Sequence, residues 1–418
     1  MFRSLRIFNY RTWFFGALVS NVGAWMQGTA LSWLVLTQLT DNDATAVGIN
    51  MALQFGPQLL LVPISGVLAD RFDRRHILLV TQSCLGAFAL TLGIITTLGL
   101  VELWMVQCFA LAFGVAIAFD NPARQAFVSE LVDKSEISNA VALNSASFHG
   151  ARLIGPAVAG LAIALIGTGP VFLVNALTFV SIIVAILRLR KSELIPTPKV
   201  ARGSGGIVQG MRYVKNRTDI VIMLSMAFLL GTFGLNFPIF ISTMTRIEYG
   251  LDADIFGVLS SSMAIGSVSG ALLAARADRP RYRLIIGGMG AFSLACLAAA
   301  LSPNIWVFSV TLIVAGFTAQ LFMTNANSTV QLTTAPEMRG RVMALYSAVF
   351  LGGIPIGAPL LGYIADLFGP RYAIGVASFA TLLAFIIGAV WILKVRKVEQ
   401  AVRDATITHP PTEPIMLR

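Results

Sequence analysis

The chain has 418 residues, of which 56% are hydrophobic and only 12% are charged, and its formal net charge is +10. A soluble domain cannot bury this much apolar surface, so the composition predicts an integral membrane protein. The positive charge does not indicate a nucleic-acid partner, because the basic residues lie in loops between apolar runs rather than on one face of a soluble domain.

No motif for an enzyme or a cofactor site occurs in the sequence. It has no Walker-type phosphate-binding motif, no His-Glu-x-x-His zinc motif and no cluster of Cys and His. We therefore expect neither a cofactor nor a metal, and any transport must use the energy of a gradient. Cys84, Cys108 and Cys296 lie in separate apolar runs, where a thiol is an ordinary packing residue.

Twelve apolar runs are long enough to cross a bilayer as helices. They lie at about 13–38, 47–69, 77–98, 102–121, 139–165, 170–188, 220–245, 254–275, 284–302, 305–325, 341–365 and 372–393. The first run follows Met-Phe-Arg-Ser-Leu-Arg and has no small-residue cleavage site, so we expect it to remain as the first helix. The runs predict an all-α membrane fold of twelve transmembrane helices in two six-helix halves.

A polar stretch between the sixth and seventh runs divides the chain. We expect an N-terminal half at 1–190, a cytoplasmic linker at 191–218, a C-terminal half at 219–397 and a disordered tail at 398–418. Within the linker, 207–217 is expected to form an amphipathic helix on the membrane surface.

The distribution of Lys and Arg predicts the orientation, because loops rich in these residues stay in the cytoplasm. With the N-terminus inside, all 30 basic residues except Arg152, Arg246 and Arg371 fall in cytoplasmic loops or tails. The opposite loops carry acidic residues, including Asp43 and Asp252. We expect a multi-pass protein of a bacterial-type inner (cytoplasmic) membrane with both termini in the cytoplasm.

An internal repeat relates the fifth run to the eleventh. A shift of 202 positions superposes segment 142–160 on segment 344–362 without a gap, and it aligns Gly150, Gly155 and Gly160 with glycines of the second half. Membrane composition alone does not explain such identity, whereas parallel six-helix repeats are a known transporter architecture. The substrate path is therefore predicted to lie between the halves.

The second run ends in Gly66-Val67-Leu68-Ala69-Asp70-Arg71-Phe72-Asp73-Arg74-Arg75. This segment resembles the signature Gly-x-Leu-Ala-Asp-Arg-x-Gly-Arg-Arg of the major facilitator superfamily, with Asp73 in place of the glycine of a tight turn. The resemblance implies a gating loop made of Gly66, Asp70, Arg71, Arg74 and Arg75. In such a loop, Asp70 faces the N-terminus of the eleventh helix and favours the outward-facing state. Alternatively, the arginines act only as topology determinants.

Two later segments narrow the resemblance to the drug:proton antiporter group that contains the enterobactin exporter and macrolide efflux proteins. They are Asp120-Asn121-Pro122-Ala123-Arg124-Gln125 and Gly150-Ala151-Arg152-Leu153-Ile154-Gly155-Pro156, the latter followed by Gly160. The resemblance implies export and an antiporter-like motif formed by Gly150, Gly155, Pro156 and Gly160. The alternative is that these residues only provide close helix packing and a kink. The fourth run lacks the mid-helix arginine that many drug:proton exporters carry, so their coupling rules do not transfer.

Polar side chains form stripes on the first two helices. Asn50, Gln54 and Gln58 are spaced four residues apart on the second run, and Asn21 and Trp25 share a face of the first. Amides in hydrocarbon need partners or water, so these residues are candidates to line a substrate cavity. The alternative is hydrogen bonding between helices alone.

On the fifth run, Ser145, His149 and Arg152 lie on one face. We interpret Arg152 as the only charge deep within a span, and it could bind amides and carbonyls, reach Asp120 or face a wet cavity. A purely structural arginine is the alternative, although the repeat places Leu351 and Ile354 at the positions equivalent to His149 and Arg152. His149 and Asp120 are the candidates to carry a coupling proton.

These features predict a monomeric secondary transporter, not an enzyme. We expect it to export a small organic compound, such as a drug, a siderophore or a metabolite, by proton antiport and alternating access. An importer of the same fold, either proton-coupled or facilitative, is the first alternative, because a fold does not determine direction. A non-transporting receptor or scaffold needs no gating loop, and for a membrane hydrolase His149 has no nucleophile nearby other than Ser145.

Overall fold

A computed structural model of the chain describes residues 3–195, 207–275, 282–335 and 337–408. In these ranges every regular element is a helix. Ten helical segments among the described residues are long and apolar enough to cross a membrane. The first two helices, of 30 and 28 residues, are also long enough to cross it. The predicted all-α membrane fold is confirmed.

The N-terminal half contains six long helices. They are α1 (Phe8–Thr37), α2 (Ala44–Arg71), α3 (Arg74–Thr97), α4 (Leu103–Phe127), α5 (Ile137–Ile166) and α6 (Thr168–Arg188). A short helix, α7 (Ile207–Lys215), follows in the linker, as predicted.

The C-terminal half also makes six crossings, but two of them are built from two helices each. Its elements are α8 (Thr218–Leu229), α9 (Phe237–Thr243), α10 (Ala253–Ala275), α11 (Tyr282–Ala300), α12 (Ile305–Thr333), α13 (Arg339–Gly352), α14 (Ile354–Phe368) and α15 (Pro370–Thr408). A π-helical turn at Leu230–Gly234 joins α8 to α9. Pro355 at the start of α14 interrupts the crossing formed by α13 and α14.

The alternation of the helices defines two ends of the bundle. We call the end where α1 begins and α6 ends the termini end. We call the opposite end, which carries the connections at 38–43, 98–102, 249–252 and 301–304, the distal end.

Two predicted boundaries are wrong. The fourth apolar run ends at residue 121, but α4 continues to Phe127 because polar side chains there are held by hydrogen bonds inside the bundle. The tail predicted to be disordered from residue 398 continues as helix to Thr408. No Pro or Gly occurs between 398 and 408 to break that helix.

The linker helix α7 is fastened to the C-terminal half through Arg217. The guanidinium donates to both oxygens of Asp219 at 3.0 and 2.7 Å, to the Tyr213 hydroxyl and to the Thr333 carbonyl. The hydrogen bonds to Asp219 raise the pKa of Arg217 above its usual value. The predicted linker residues 196–206 lie outside the described residues.

Candidate functional site

The first seam between the halves joins α2 to α14. Gly48 of α2 packs directly against the backbone of Ala358 and Pro359, and Gly362 of α14 packs against the backbone of Ala44. A Cβ atom on either glycine would overlap these backbone atoms, so the close approach requires glycine. These contacts lie at the distal end, and they hold the halves together there.

The second seam joins α5 to α10 and is built in the same way. A Cβ on Gly160 would lie 2.5 Å from the carbonyl oxygen of Ala253, and a Cβ on Gly257 would lie 2.5 Å from that of Pro156. Deeper in the bundle, the Ser261 hydroxyl donates to the Leu153 carbonyl at 2.9 Å. Both seams are therefore closed at the distal end.

Toward the termini end the halves diverge. The face of α5 that α10 covers at Leu153 and Gly160 continues to Ala142, Ser145 and Ala146, yet these three residues are exposed. On α2, the corresponding face reaches Gly66, where a Cβ would meet no described atom within 4 Å. The divergence leaves a crevice between the halves that is open at the termini end.

Arg152 lies at the inner limit of this crevice, next to Leu153, whose carbonyl accepts the hydrogen bond from Ser261 of α10. Its guanidinium carbon is 5.4 Å from the centroid of the Trp25 ring, within the range of a cation–π contact. Phe148 packs edge-on against the same ring at 5.7 Å. In the part of the chain that the structure describes, Arg152 forms no ion pair and no hydrogen bond.

His149 lies one turn from Arg152 on the open face of α5. The imidazole packs against Phe148 at 5.8 Å. Its Nδ1 atom is buried and has no hydrogen-bond partner among the described residues. Sequence spacing alone placed His149 and Arg152 on one face, and the structure brings Trp25 to the same place.

The predicted polar stripes have different surroundings. The amide of Asn50 is buried, and its Oδ1 has no partner among the described atoms. Gln54 and Gln58 are half-buried, and Gln58 Nε2 donates a hydrogen bond to the backbone carbonyl of Gln54. Asn21 donates to the Ser147 hydroxyl at 3.3 Å and accepts from Arg124. Asn21 is therefore tied to α4 and α5 within its own half.

Asp120 is fully occupied by partners, and Arg152 is not one of them. Oδ1 accepts from the Thr81 hydroxyl at 2.7 Å and from Gln82 Nε2 at 2.6 Å, while Oδ2 accepts from Arg124 Nε at 3.0 Å. Asp120 instead forms an ion pair with Arg124 within α4, closer to the termini end than Arg152, which lies midway along α5. The i, i+4 spacing of Asp120 and Arg124 could have indicated this pair.

Two arginines of the gating loop, Arg74 and Arg75, are packed against other parts of the bundle. Asp73 caps α3 by accepting from the Arg75 amide at 2.9 Å, so the residue that replaces the usual glycine stabilises the start of the third helix. Arg75 donates to the Ile186 carbonyl at 3.1 Å, and Arg74 pairs with Glu130 at 2.6 Å. Arg71 is exposed, and the side chain of Asp70 lies outside the described residues.

Two of the three repeated glycines, Gly155 and Gly160, have contacts equivalent to those of their mates in the other half. Gly155 meets Val22 and Trp25 of α1, where a Cβ would lie 2.6 Å from the Trp25 Cβ, and its repeat mate Gly357 meets Thr232, in the first crossing of the other half. Gly160 and its mate Gly362 instead contact the opposite half, at the first residues of α10 and α2. At Gly150 a Cβ would meet no described atom within 4 Å.

The comparison with known families agrees with this architecture. Residues 1–416 match the model of the family described as transmembrane secretion effector, a major facilitator group. The chain belongs to the major facilitator superfamily. It is therefore a multi-pass membrane transporter and not an enzyme.

Two relatives in the superfamily are named for siderophore transport. The staphyloferrin A transporter of Staphylococcus aureus (strain NCTC 8325 / PS 47) is 24% identical over 368 residues, which cover 86% of this chain and 90% of the relative. The enterobactin exporter EntS of Escherichia coli O1:K1 / APEC is 23% identical over 410 residues, covering 95% of each chain.

Solved structures of superfamily members share the fold. A mutant of the nucleoside transporter NupG superposes with a TM-score of 0.72 at 13% identity, covering 91% of this chain and 99% of that one. A bacterial homologue of the human lysosomal transporter Spinster, in an inward-facing and occupied conformation, superposes with a TM-score of 0.70 at 13% identity, covering 93% and 97%.

Two residues of this superfamily member were not singled out as site candidates from the sequence. In the sequence, Arg124 is part of a motif without a role of its own, and Asp366 is a single acidic residue after the eleventh apolar run. Asp366 lies in the last turn of α14 and accepts hydrogen bonds from the start of α2. No local pattern indicates that contact, because its partners are more than 320 positions away in the sequence.

Proposed function

We propose that this chain exports a small organic anion, such as a siderophore, across the cytoplasmic membrane in exchange for protons. The observation that carries the proposal is Arg152, a cation without a carboxylate partner among the described residues, at the inner limit of the crevice between the halves. The names of the two relatives, an enterobactin exporter and a staphyloferrin A transporter, support a siderophore-like substrate.

The surroundings of Arg152 favour an anionic, partly aromatic ligand. A guanidinium presents donors in a planar fork that matches a carboxylate or a catecholate. Burial of a cation costs free energy unless a counter-charge accompanies it. Among the described residues Arg152 has no such counter-charge, and its guanidinium contacts the face of the Trp25 ring. A bound anion would supply the missing charge, while Trp25 and Phe148 offer apolar contact to a ring.

For the coupling proton, we propose His149 rather than Asp120. The buried Nδ1 of His149 has no hydrogen-bond partner among the described residues, and imidazole changes its charge in the pH range that separates cytoplasm from periplasm. Asp120 accepts three hydrogen bonds, one of them from Arg124, and protonation would disrupt that set. Asn50, Gln54 and Gln58 are proposed to line the α2 side of the path.

We further propose that the distal end faces the outside and that both termini lie in the cytoplasm. The distribution of Lys and Arg along the sequence supports this orientation. In that orientation the crevice opens to the cytoplasm, where an exporter takes up its cargo. The crevice lies between the two halves of one chain, so a monomer is sufficient for transport.

Metabolite profiles and vesicle transport together test the proposal. A strain lacking this chain is compared with its complemented parent, and we expect an acidic compound to be retained in the cells and depleted from the medium. Inside-out vesicles should accumulate the retained compound when their interior is acidified, and a protonophore should abolish the accumulation. Accumulation only in right-side-out vesicles would instead favour the importer.

A further inference from the structure

The first turn of α2 is completed by a residue of the opposite half. Helix N-termini leave backbone N–H groups without partners inside the helix. At α2, Asp43 accepts from the Ala46 amide at 2.8 Å, which satisfies one group from within the same half. The amides of Ala44 and Thr45 donate instead to Asp366 of α14, at 2.7 and 2.8 Å.

The contact uses the whole carboxylate. Asp366 Oδ1 accepts from Ala44, and Oδ2 accepts from both the amide and the hydroxyl of Thr45, the latter at 2.5 Å. A carboxylate at a helix N-terminus is stabilised both by these donors and by the helix dipole.

Asp366 is unfavourably placed with respect to its own helix. It lies in the last turn of α14, which ends at Phe368, where the helix dipole disfavours a negative charge. The repeat mate of Asp366 is Ala164 of α5, so the fold does not require an acid at this position. The contact with α2 offsets the unfavourable position, and it can form only while the distal ends of α2 and α14 are together.

We propose that Asp366 is a latch that holds the distal end of the transporter closed. When the halves part at this end, the carboxylate loses three donors and remains at the C-terminal end of its own helix. The α5–α10 seam has glycine contacts but Ala164 at the equivalent position, so the latch acts on the α2–α14 seam alone. The latch rests on the proposed function only in that the two halves must alternate. It does not depend on which substrate is carried or on which way the protein faces in the membrane.

The test measures how often the distal end opens in the purified, reconstituted full-length chain. Spin labels are placed at two exposed distal positions, Asp41→Cys in the first half and Asp254→Cys in the second, in a background in which Cys84, Cys108 and Cys296 are replaced. Double electron–electron resonance then gives the ratio of long-distance to short-distance molecules. The Asp366→Ala variant should raise this ratio about fivefold, the effect expected for loss of a helix cap.

Two further variants make the outcome specific. Thr45→Val removes only the hydroxyl donor, so the ratio should rise in the same direction but less. Asp43→Ala removes a cap at the same helix end that does not cross between the halves, so it should leave the ratio unchanged. If Asp366→Ala does not yield folded protein, Asp366→Asn and Thr45→Val decide the question.

A wild-type ratio in the Asp366 variants, or an equal rise in Asp43→Ala, would overturn the latch. The proposed function can fail separately. If the distance shift is observed but inside-out vesicles accumulate no compound, export is refuted and the latch stands.

Discussion

Arg152 lies over the face of the Trp25 indole ring, and Gly155, one turn further along α5, is what lets α1 come close enough for that contact. The glycine of the antiporter-like motif and the arginine beside it therefore form one structural unit. Close packing at Gly155 brings the aromatic ring to the cation, and the diverging halves leave the cation next to the crevice.

Replacement of Arg152 by Leu should abolish transport of anionic substrates while the protein still folds and inserts. Apolar Ile354 occupies the equivalent position in the other half, so the fold accepts such a residue. We expect at least about a tenfold loss of initial rate in inside-out vesicles, because a charge-assisted hydrogen bond contributes roughly 1.5–3 kcal/mol. Arg152→Lys keeps the charge without the planar fork and should be intermediate. Normal rates in Arg152→Leu, or organic dications as the best substrates, would contradict the proposal.

Two neighbouring glycines should respond in opposite ways to alanine. Gly155→Ala forces a methyl group against Trp25 and should destabilise the N-terminal half by about 1–3 kcal/mol, the usual cost of overpacking. Gly150→Ala meets open space and should be neutral or slightly stabilising, since alanine favours helix. The midpoint of thermal unfolding in detergent measures both effects, and equal midpoints would refute the packing role of Gly155.

Asp120 should prove to be structural. Asp120→Asn leaves Arg124 buried without its counter-charge, and loss of one member of a buried pair costs roughly 3–5 kcal/mol. We therefore expect low membrane abundance and a lower unfolding temperature. The double variant Asp120→Leu with Arg124→Leu removes both charges and should recover much of the abundance. If Asp120→Asn is as abundant as wild type yet transports without a proton gradient, Asp120 carries the proton after all.

The Asp70→Asn variant tests the gating loop implied by the family resemblance. Loss of the charge should weaken a contact with the N-terminus of the eleventh crossing, of which α13 is the first part, and shift the protein toward inward-facing states. Transport should fall sharply at near-normal membrane abundance. Arg71→Gln, at an exposed neighbour, serves as the control for general changes of loop charge. Retained activity, or disappearance of the protein, would argue against a latch at Asp70.

Single-cysteine labelling tests the orientation. In a background without the three native cysteines, a cysteine at Asp43 or Asp252 should react with an impermeant maleimide in intact cells. One at Ser204 in the linker should react only after the membrane is opened. Labelling of Ser204 from outside would reverse the proposed topology and, with it, the assignment of the crevice to the cytoplasm.

The sequence predicts most of the fold because hydropathy and the repeat are strong signals. Membrane-spanning length is set by the bilayer, so apolar runs locate helices well. The extension of α4 to Phe127 was missed because Arg124 looks like a loop residue until its partners, Asp120 of α4 and Asn21 of α1, are known. The break between α13 and α14 was missed because the run stays apolar across Pro355.

The site is predicted less completely, since its contacts join distant parts of the chain. Helical spacing placed His149 and Arg152 together, but nothing local places Trp25 beneath Arg152. The same limit applies to Asp366, whose partners Ala44 and Thr45 lie in the other half. Spacing within one helix is readable from sequence, whereas contacts across a seam depend on how the halves pack.

The equivalent contacts of Gly155 and Gly160 and their repeat mates bear on how the two halves came to differ. If the transporter were a pair of identical six-helix chains, the same glycine would pack at both seams. Any charged residue introduced into one chain would then also be present in the other. Fusion into a single polypeptide removes that constraint. The positions at which the halves have since diverged include Arg152 opposite Ile354, His149 opposite Leu351 and Asp366 opposite Ala164. Both halves thus keep the glycines at which helices pack closely. Each of these charged or titratable side chains, in contrast, is present in one half only.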